Sequence, residues 1–342
     1  MIYKNINNTT IPLAIFLMGT TASNKTKLAI ELFHKIKEIE IISVDSVKIY
    51  KGMDIGTAKL SHQERKVINP LLIDILDPSE SYSVANFYHD ALFEMKRITE
   101  LGRIPLLVGG TLLYFKVLLE GLHSALPKKN IEIREYLKNK AKLRGWKKLY
   151  QYLEEIDPII AKHIHPNDIQ RLSRALEVFL ISGKTVTELI NTHPKFVLPY
   201  KVYQFIMVPS DRLHLQKRIE NRFYKMLFNG FENEVYTLFT RGDLNQNMSS
   251  IRSIGYRQMW EYLSNEINYD FMVNSVISAT KKFAKRQITW LKSWKEAYWL
   301  SNNDIEKNIN EILSFLKKEK NWLVIFFLKL MPFKIYAAIF LY

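Results

Sequence analysis

The sequence predicts an α/β protein: a parallel, P-loop-type sheet flanked by helices, carrying an all-helical insertion. Three observations predict it. Apolar runs alternate with helix-period segments up to residue 122, the rhythm of a sheet covered on both faces. A small-residue loop ending in Lys25-Thr26 joins the first run to the first helix. Strand signals then vanish between 123 and 200 and return at Lys201 to Val208. The expected organisation is a core from 11–122 and 201–318, a helical insertion at 123–200 and an apolar tail at 319–342.

The first strand is Ile11 to Met18, broken only by Pro12, and it lacks the polar alternation of a half-exposed strand. Gly19 ends it. After Lys25-Thr26, Leu28, Ala29, Leu32 and Ile36 follow helix spacing. This is the frame G-x-x-x-x-G-K-[ST], a loop whose backbone N–H groups point at an anion. Gly19, Thr20, Thr21, Ala22, Ser23, Asn24, Lys25 and Thr26 are therefore the candidate phosphate-binding residues. Lys25 adds a point charge and Thr26 is the candidate magnesium ligand. Asn24 stands where the pattern wants glycine, and asparagine is the side chain that best tolerates positive φ.

A second apolar run, Ile41 to Val44, ends at Asp45, and Ser46 to Lys59 has the glycines and irregularity of a site-lining loop. Ligands of open α/β sheets sit beyond the carboxyl ends of the strands, so Asp45 and the phosphate loop should face one crevice. Leu71-Leu-Ile-Asp74 reads as a third short run closed by an acid. Asp45 and Asp74 are both candidates for the carboxylate beside the loop. Residues 83–101 read as a helix, and Ile104 to Val108 as a buried strand running into Gly109-Gly110.

Within the insertion, Trp146, Leu149, Leu153 and Ile156 follow helix spacing. Asn167 with Gln170 reads as a capping box opening a helix with Leu172, Leu176 and Phe179 on its apolar face. Gln170, Arg171 and Arg174 form a polar stripe opposite, read equally well as a solvated face. After the returning strand, Arg212 to Phe228 carries Arg218 and Arg222 one turn apart. A long helix is expected from about 269 to 296, with Met272, Val276, Ala279, Phe283, Trp290 and Trp294 on one side.

Composition narrows the partners. Lys and Arg number 49 against 34 Asp and Glu, a net charge of +15 that favours a polyanion such as nucleic acid. The absence of cysteine excludes disulfides, thiol catalysis and cysteine-ligated zinc. Met1 to Thr10 is polar, without a secretory pattern, and a cytoplasmic protein is expected. Trp322 to Tyr342 is apolar and about long enough to span a bilayer as a helix, but Lys329, Pro332 and Lys334 argue against it.

Several motifs resemble one family, the bacterial tRNA dimethylallyltransferases. They are Ala14-Ile-Phe-Leu-Met-Gly, Ile42-Ser-Val-Asp-Ser, Tyr50-Lys-Gly-Met-Asp-Ile-Gly-Thr-Ala-Lys and Pro105-Leu-Leu-Val-Gly-Gly-Thr. Farther on they are His165-Pro-Asn-Asp, Gln170-Arg-Leu-Ser-Arg-Ala-Leu-Glu-Val-Phe, Gly255-Tyr-Arg-Gln-Met-Trp and Ala284-Lys-Arg-Gln-Ile-Thr-Trp-Leu. The resemblance implies transfer of a dimethylallyl group from dimethylallyl diphosphate to N6 of the adenine 3′ to the anticodon of a tRNA. It implies Asp45 as the base, with Lys25, Thr26-bound Mg²⁺ and Arg222 on the leaving diphosphate. It further implies that the anticodon arm meets Asp45, Ser46, Val47, Lys48, Thr111, Arg134, Gln170, Arg171, Leu172, Ser173 and Arg174. The segment Arg252, Ser253, Ile254, Gly255, Tyr256 and Arg257 joins them. No protein partner is implied, and a monomer is expected. The family has proline at 20 and glycine at 24, where this chain has Thr20 and Asn24. Two other readings fit part of the pattern: an ATP-dependent phosphotransferase explains the loop but not the basic helices, and a non-enzymatic RNA-binding protein explains the charge but not the loop.

Overall fold

The computed structural model describes residues 11–122, 126–192, 196–209, 211–301 and 304–318. The expected tail at 319–342 lies outside them. Contacts divide the chain into two units, Met1–Leu118 with Pro199–Tyr342, and Leu119–Leu198.

In chain order, β1 (Leu13–Gly19) leads to α1 (Lys25–Lys35), β2 (Ile39–Val44), α2 (His62–Ile68), α3 (Val84–Glu100), β3 (Ile104–Gly109) and α4 (Leu112–Glu120). The second unit holds α5 (Ile131–Arg144), α6 (Trp146–Ile156), α7 (Pro158–Ala161), α8 (Ile169–Ser182) and α9 (Val186–Asn191). The chain then returns through β4 (Lys201–Met207), α10 (Arg212–Phe228), α11 (Phe231–Phe239), α12 (Tyr256–Leu263), α13 (Tyr269–Lys292), β5 (Tyr298–Leu300) and α14 (Ile305–Lys318). Among the described residues no helix is long and apolar enough to cross a membrane.

The sheet is five-stranded in the order β2-β3-β1-β4-β5, and every pairing is parallel. All seven residues of β1 are buried, as its unbroken apolar run requires of a central strand. The register pairs Met18 with Gly109, Gly19 with Met207 and Val44 with Gly109, so these carboxyl ends stand in one row. Glycine is needed in that row: a Cβ on Gly109 would lie 1.9 Å from the Val44 carbonyl oxygen, and one on Gly19 2.4 Å from that of Met207.

One core forms between the sheet and α1 and α14, around Leu28, Leu32, Ile309, Ile312 and Leu316. A second joins the loop after β2 to α10–α13, with Tyr50, Met53, Phe223, Phe231, Tyr256, Met272 and Val276. Fully burying one such side chain stabilises by about 1.5–3 kcal/mol. This second core holds a helical wall against the loop that leaves β2.

Local readings need correction at three places. Leu71 makes only an isolated bridge to Ile42, and left-handed φ values of 59° at Leu72 and 55° at Asp74 end the expected strand. The N-cap of α8 is Asp168, whose carboxylate accepts the Arg171 N–H at 3.1 Å; Asn167 lies one residue too early. Helix α13 ends at Lys292 and buries Met272, Val273, Val276, Ile277, Ala284, Gln287 and Leu291, while Trp290 is turned outward. The short edge strand β5 carried no sequence signal of its own.

The second unit is wholly helical among its described residues and packs around Leu137, Leu149, Leu153, Leu172 and Leu176. Leu172 is fully buried there, so its side chain is core and not an RNA-facing surface. Glu177, also fully buried, accepts from Asn130 N, Arg134 Nε and Nη2, and Arg174 Nη1 at 2.8–2.9 Å. Arg174 Nη2 also donates to the Pro127 carbonyl at 2.6 Å. Burial pushes the Glu177 carboxyl up, but the arginines and the Asn130 amide outweigh it and hold it at about 2.

A depressed carboxylate contributes stability that is present above its unfolded value and lost as pH falls through its folded value. Acid unfolding of this unit should therefore run from pH 4.5 toward about 2. Arg174→Ala should move that transition upward and cost roughly 1–3 kcal/mol at neutral pH, measured by urea melts. Arg171, 69% exposed and paired only with Asp168 at 3.3 Å, should leave the melts unchanged when replaced by alanine.

Candidate active site

The loop Gly19–Asn24 leaves the central strand and turns into α1. Its backbone takes positive φ at Ala22 (57°) and Asn24 (67°), the curl that lets successive N–H groups face one point. Asn24 is the N-cap of α1, yet its side chain makes no capping hydrogen bond, so the helix end keeps uncapped donors. Lys25 Nζ donates to the Thr20 carbonyl at 2.9 Å and stays folded over the loop. Thr20 and Ser23 are buried, at 0% and 1% exposure, so Thr21, Lys25 and Thr26 carry the loop's exposed face in the cavity.

A non-glycine residue held at the φ of Asn24 costs on the order of 1–3 kcal/mol, with asparagine at the low end. To the extent that diphosphate deepens this strain, Asn24→Gly should tighten diphosphate binding by up to about tenfold, at about 1.4 kcal/mol per decade. Equal or weaker binding in a calorimetric titration would mean that the Asn24 amide itself serves the ligand.

Asp45 follows β2. Its Oδ1 accepts the N–H groups of Val47 at 2.9 Å and Lys48 at 3.2 Å, a turn that fixes the carboxylate. Among the described residues, its Oδ2 accepts no hydrogen bond and lies in no ion pair. The Ser46 N–H donates to Thr111 Oγ1 at 3.3 Å, which ties this turn to the end of β3. Asp74 has a different fate: Lys59 Nζ reaches it at 2.5 Å and Arg65 pairs with its other oxygen. Asp74 braces the loop, and of the two candidate carboxylates only Asp45 lines the cavity.

That cavity, about 380 Å³, opens beyond the strand ends. Its polar lining includes Thr21, Lys25, Thr26, Asp45, Lys48 and Arg222, and its apolar lining Ile219, Phe223, Met226, Phe231, Val276 and Phe283. Arg218, one turn before Arg222, does not line it. Burial, then the charges of Lys48 and Arg222, lower Lys25 to about 7 against the pull of Asp45. Burial likewise lowers Lys48 and Arg222, with Asp45 opposing in both. The site is short of negative charge.

Magnesium, which the phosphate-loop pattern implies, fits the donors present in one way. Among the described residues no three His, Asp or Glu side chains gather around a metal-sized gap. The Thr26 hydroxyl lines the cavity beside Lys25 and is the donor that would hold the ion. A hard cation held there would take its remaining oxygens from phosphate and water.

Two residues that sequence reasoning missed hold the site together. Gln287, 5% exposed on α13, accepts the Thr21 N–H at 2.9 Å and donates to the Gly110 carbonyl at 2.8 Å, clamping the two glycine loops. The signal was a polar residue on the buried face of a long helix. Glu234 accepts the N–H groups of Asp54, Ile55 and Gly56 at 2.6–3.1 Å and the Tyr256 hydroxyl at 2.6 Å. It pins the site-lining loop to α11 and α12, a link with no local signature.

The residues expected to meet RNA are distributed unevenly. Ser46, Val47, Lys48, Thr111, Arg252, Ser253, Ile254, Gly255 and Tyr256 all line the cavity. Arg257 lies in a neighbouring groove with Arg252, Lys282 and Arg286. In the second unit Gln170 and Arg171 are exposed and Ser173 is half-buried. Arg134 and Arg174 are bound to Glu177.

A phosphate loop at the strand ends, a fixed carboxylate and an aromatic wall define an α/β enzyme that handles a phosphorylated substrate with an apolar part. A family model described as IPP transferase matches residues 48–294, and the chain belongs to that family, one of prenyl-transferring enzymes. A full-length tRNA isopentenylpyrophosphate transferase from Bacillus halodurans is 32% identical, over 92% of this chain and 98% of that one, with a TM-score of 0.67. A tRNA isopentenylpyrophosphate transferase from Staphylococcus epidermidis is 32% identical over 90% and 99%, with a TM-score of 0.64. A eukaryotic dimethylallyltransferase solved while acting on tRNA shares the fold, at 24% identity, 90% and 79% coverage and a TM-score of 0.75. The family resemblance read from the motifs is thus borne out.

Proposed function

We propose that the protein prenylates tRNA, moving a dimethylallyl group from dimethylallyl diphosphate to N6 of the adenine 3′ to the anticodon. The observation that carries this reading is the unpaired Asp45 Oδ2 in the same cavity as Lys25, Arg222 and the open N-terminus of α1. The N6 lone pair attacks the allylic carbon, the carbon–oxygen bond breaks toward the diphosphate, and the proton leaving N6 passes to Asp45. Lys25, Arg222 and the amides at the start of α1 face the charge that develops on the leaving group, where preorganised donors are most effective. Thr26 would hold a magnesium ion, which would supply further charge neutralisation to that group.

The wall of Phe223, Met226 and Phe231 suits the prenyl chain and keeps water from an electron-poor carbon. An adenine must leave its stack to enter, which the lining segment from Arg252 to Tyr256 and the aromatic wall accommodate. The net charge of +15 and the substrates of the related enzymes support an RNA partner. One chain carries every residue named, and the proposed active species is a monomer in the cytoplasm. Incubating the protein with labelled dimethylallyl diphosphate or γ-labelled ATP, with and without unmodified tRNA, tests the reaction class. Prenyl label should enter tRNA and no other product; transfer of the ATP phosphate would replace this reading with a phosphotransferase.

A further inference from the structure

The three cations that line the cavity, Lys25, Lys48 and Arg222, do not stand alike. Lys25 is engaged with the Thr20 carbonyl, whereas the Lys48 ammonium has neither a hydrogen bond nor an ion pair among the described residues. Its backbone is nevertheless held on both sides: its N–H by Asp45 Oδ1 at 3.2 Å, and its carbonyl by the Asp74 N–H at 3.2 Å. Asp74 is itself braced by Lys59 and Arg65. A lysine with a fixed backbone and an unsatisfied ammonium in a cavity is arranged for an anion that is not part of the protein.

Lys25, Lys48 and Arg222 lie within one another's electrostatic reach, with one carboxylate, Asp45, among them, leaving an excess of positive charge. An RNA phosphodiester brings one negative charge and runs along a surface; a diphosphate brings more and fits a pocket. We propose that Lys48 is a third diphosphate-holding cation, closing on the leaving group from the β2 side, and is not an RNA contact. Burial lowers the proton affinity of Lys48, a cost that an arriving anion relieves.

This inference rests on the prenyl-transfer reading only for the identity of the anion. Its test therefore uses inorganic diphosphate with magnesium, titrated calorimetrically into the full-length protein, beside separate measurements of tRNA affinity. Lys48→Met should weaken diphosphate binding by about tenfold to a hundredfold, the loss of one charge-assisted contact, with tRNA affinity unchanged. Lys48→Arg should restore most of the diphosphate affinity; it also keeps the question answerable if the methionine variant does not fold.

Unchanged diphosphate affinity in Lys48→Met, or a loss confined to tRNA affinity, would overturn the assignment. The two failures are separable. Prenyl transfer by the wild type with Lys48-independent diphosphate binding removes only this inference. Lys48-dependent diphosphate binding without prenyl transfer removes only the reaction.

Discussion

Asp45→Asn should lower prenyl transfer by roughly 10²–10⁴, the range a positioned general base contributes, and leave tRNA affinity nearly unchanged. The argument is geometric. Oδ1 is occupied by two backbone N–H groups that set the turn, and Oδ2 has no partner among the described residues. Asparagine preserves the first role through its carbonyl oxygen and removes the second, because its amide accepts no proton. The loss should therefore appear in kcat, with dimethylallyl diphosphate binding equal or tighter, since a negative charge beside the diphosphate has gone. Wild-type turnover in single-turnover kinetics would remove Asp45 from the mechanism.

Lys25→Met should have a comparable effect of different character. Lys25 Nζ lies over the loop, and its charge is opposed by Lys48 and Arg222 before any substrate arrives. A donor aimed at charge that grows in the transition state contributes about 10²–10³ in kcat when removed. The same cation also meets the ground-state diphosphate, so KM should rise as well. A variant that loses only ground-state affinity, with kcat intact, would show that Lys25 binds the diphosphate but does not follow the leaving group.

The legible parts of this protein were those written locally. β1, the phosphate loop and α1 could be read because an unbroken apolar run, a small-residue turn and helix spacing are all contained within Ile11 to Ile36. The alternation of strand and helix likewise carried the parallel sheet. Leu71–Asp74 misled because a short apolar run does not reveal left-handed backbone at Leu72 and Asp74. The choice between Asp45 and Asp74 was likewise tertiary: Lys59 and Arg65 claim one of them.

Charge was the least readable signal. Arg171 and Arg174 share one stripe of α8, yet Arg174 is spent on a buried glutamate three residues on, and Arg134 joins it from α5. A helix sequence does not say whether an arginine faces RNA or a carboxylate inside the protein. The partners of Gln287 and Glu234 were hidden for the same reason. They lie far away in sequence, at Thr21 and Gly110 and at Asp54 to Gly56.

The central claim is tested most directly by where the prenyl group lands. Unmodified tRNA with adenine 3′ to the anticodon, and the same tRNA with guanine there, would each be incubated with the protein and labelled dimethylallyl diphosphate. Both would then be digested to nucleosides and separated. The account predicts label in N6-dimethylallyladenosine from the first tRNA and none from the second. Label in both tRNAs alike, or in neither, would contradict it.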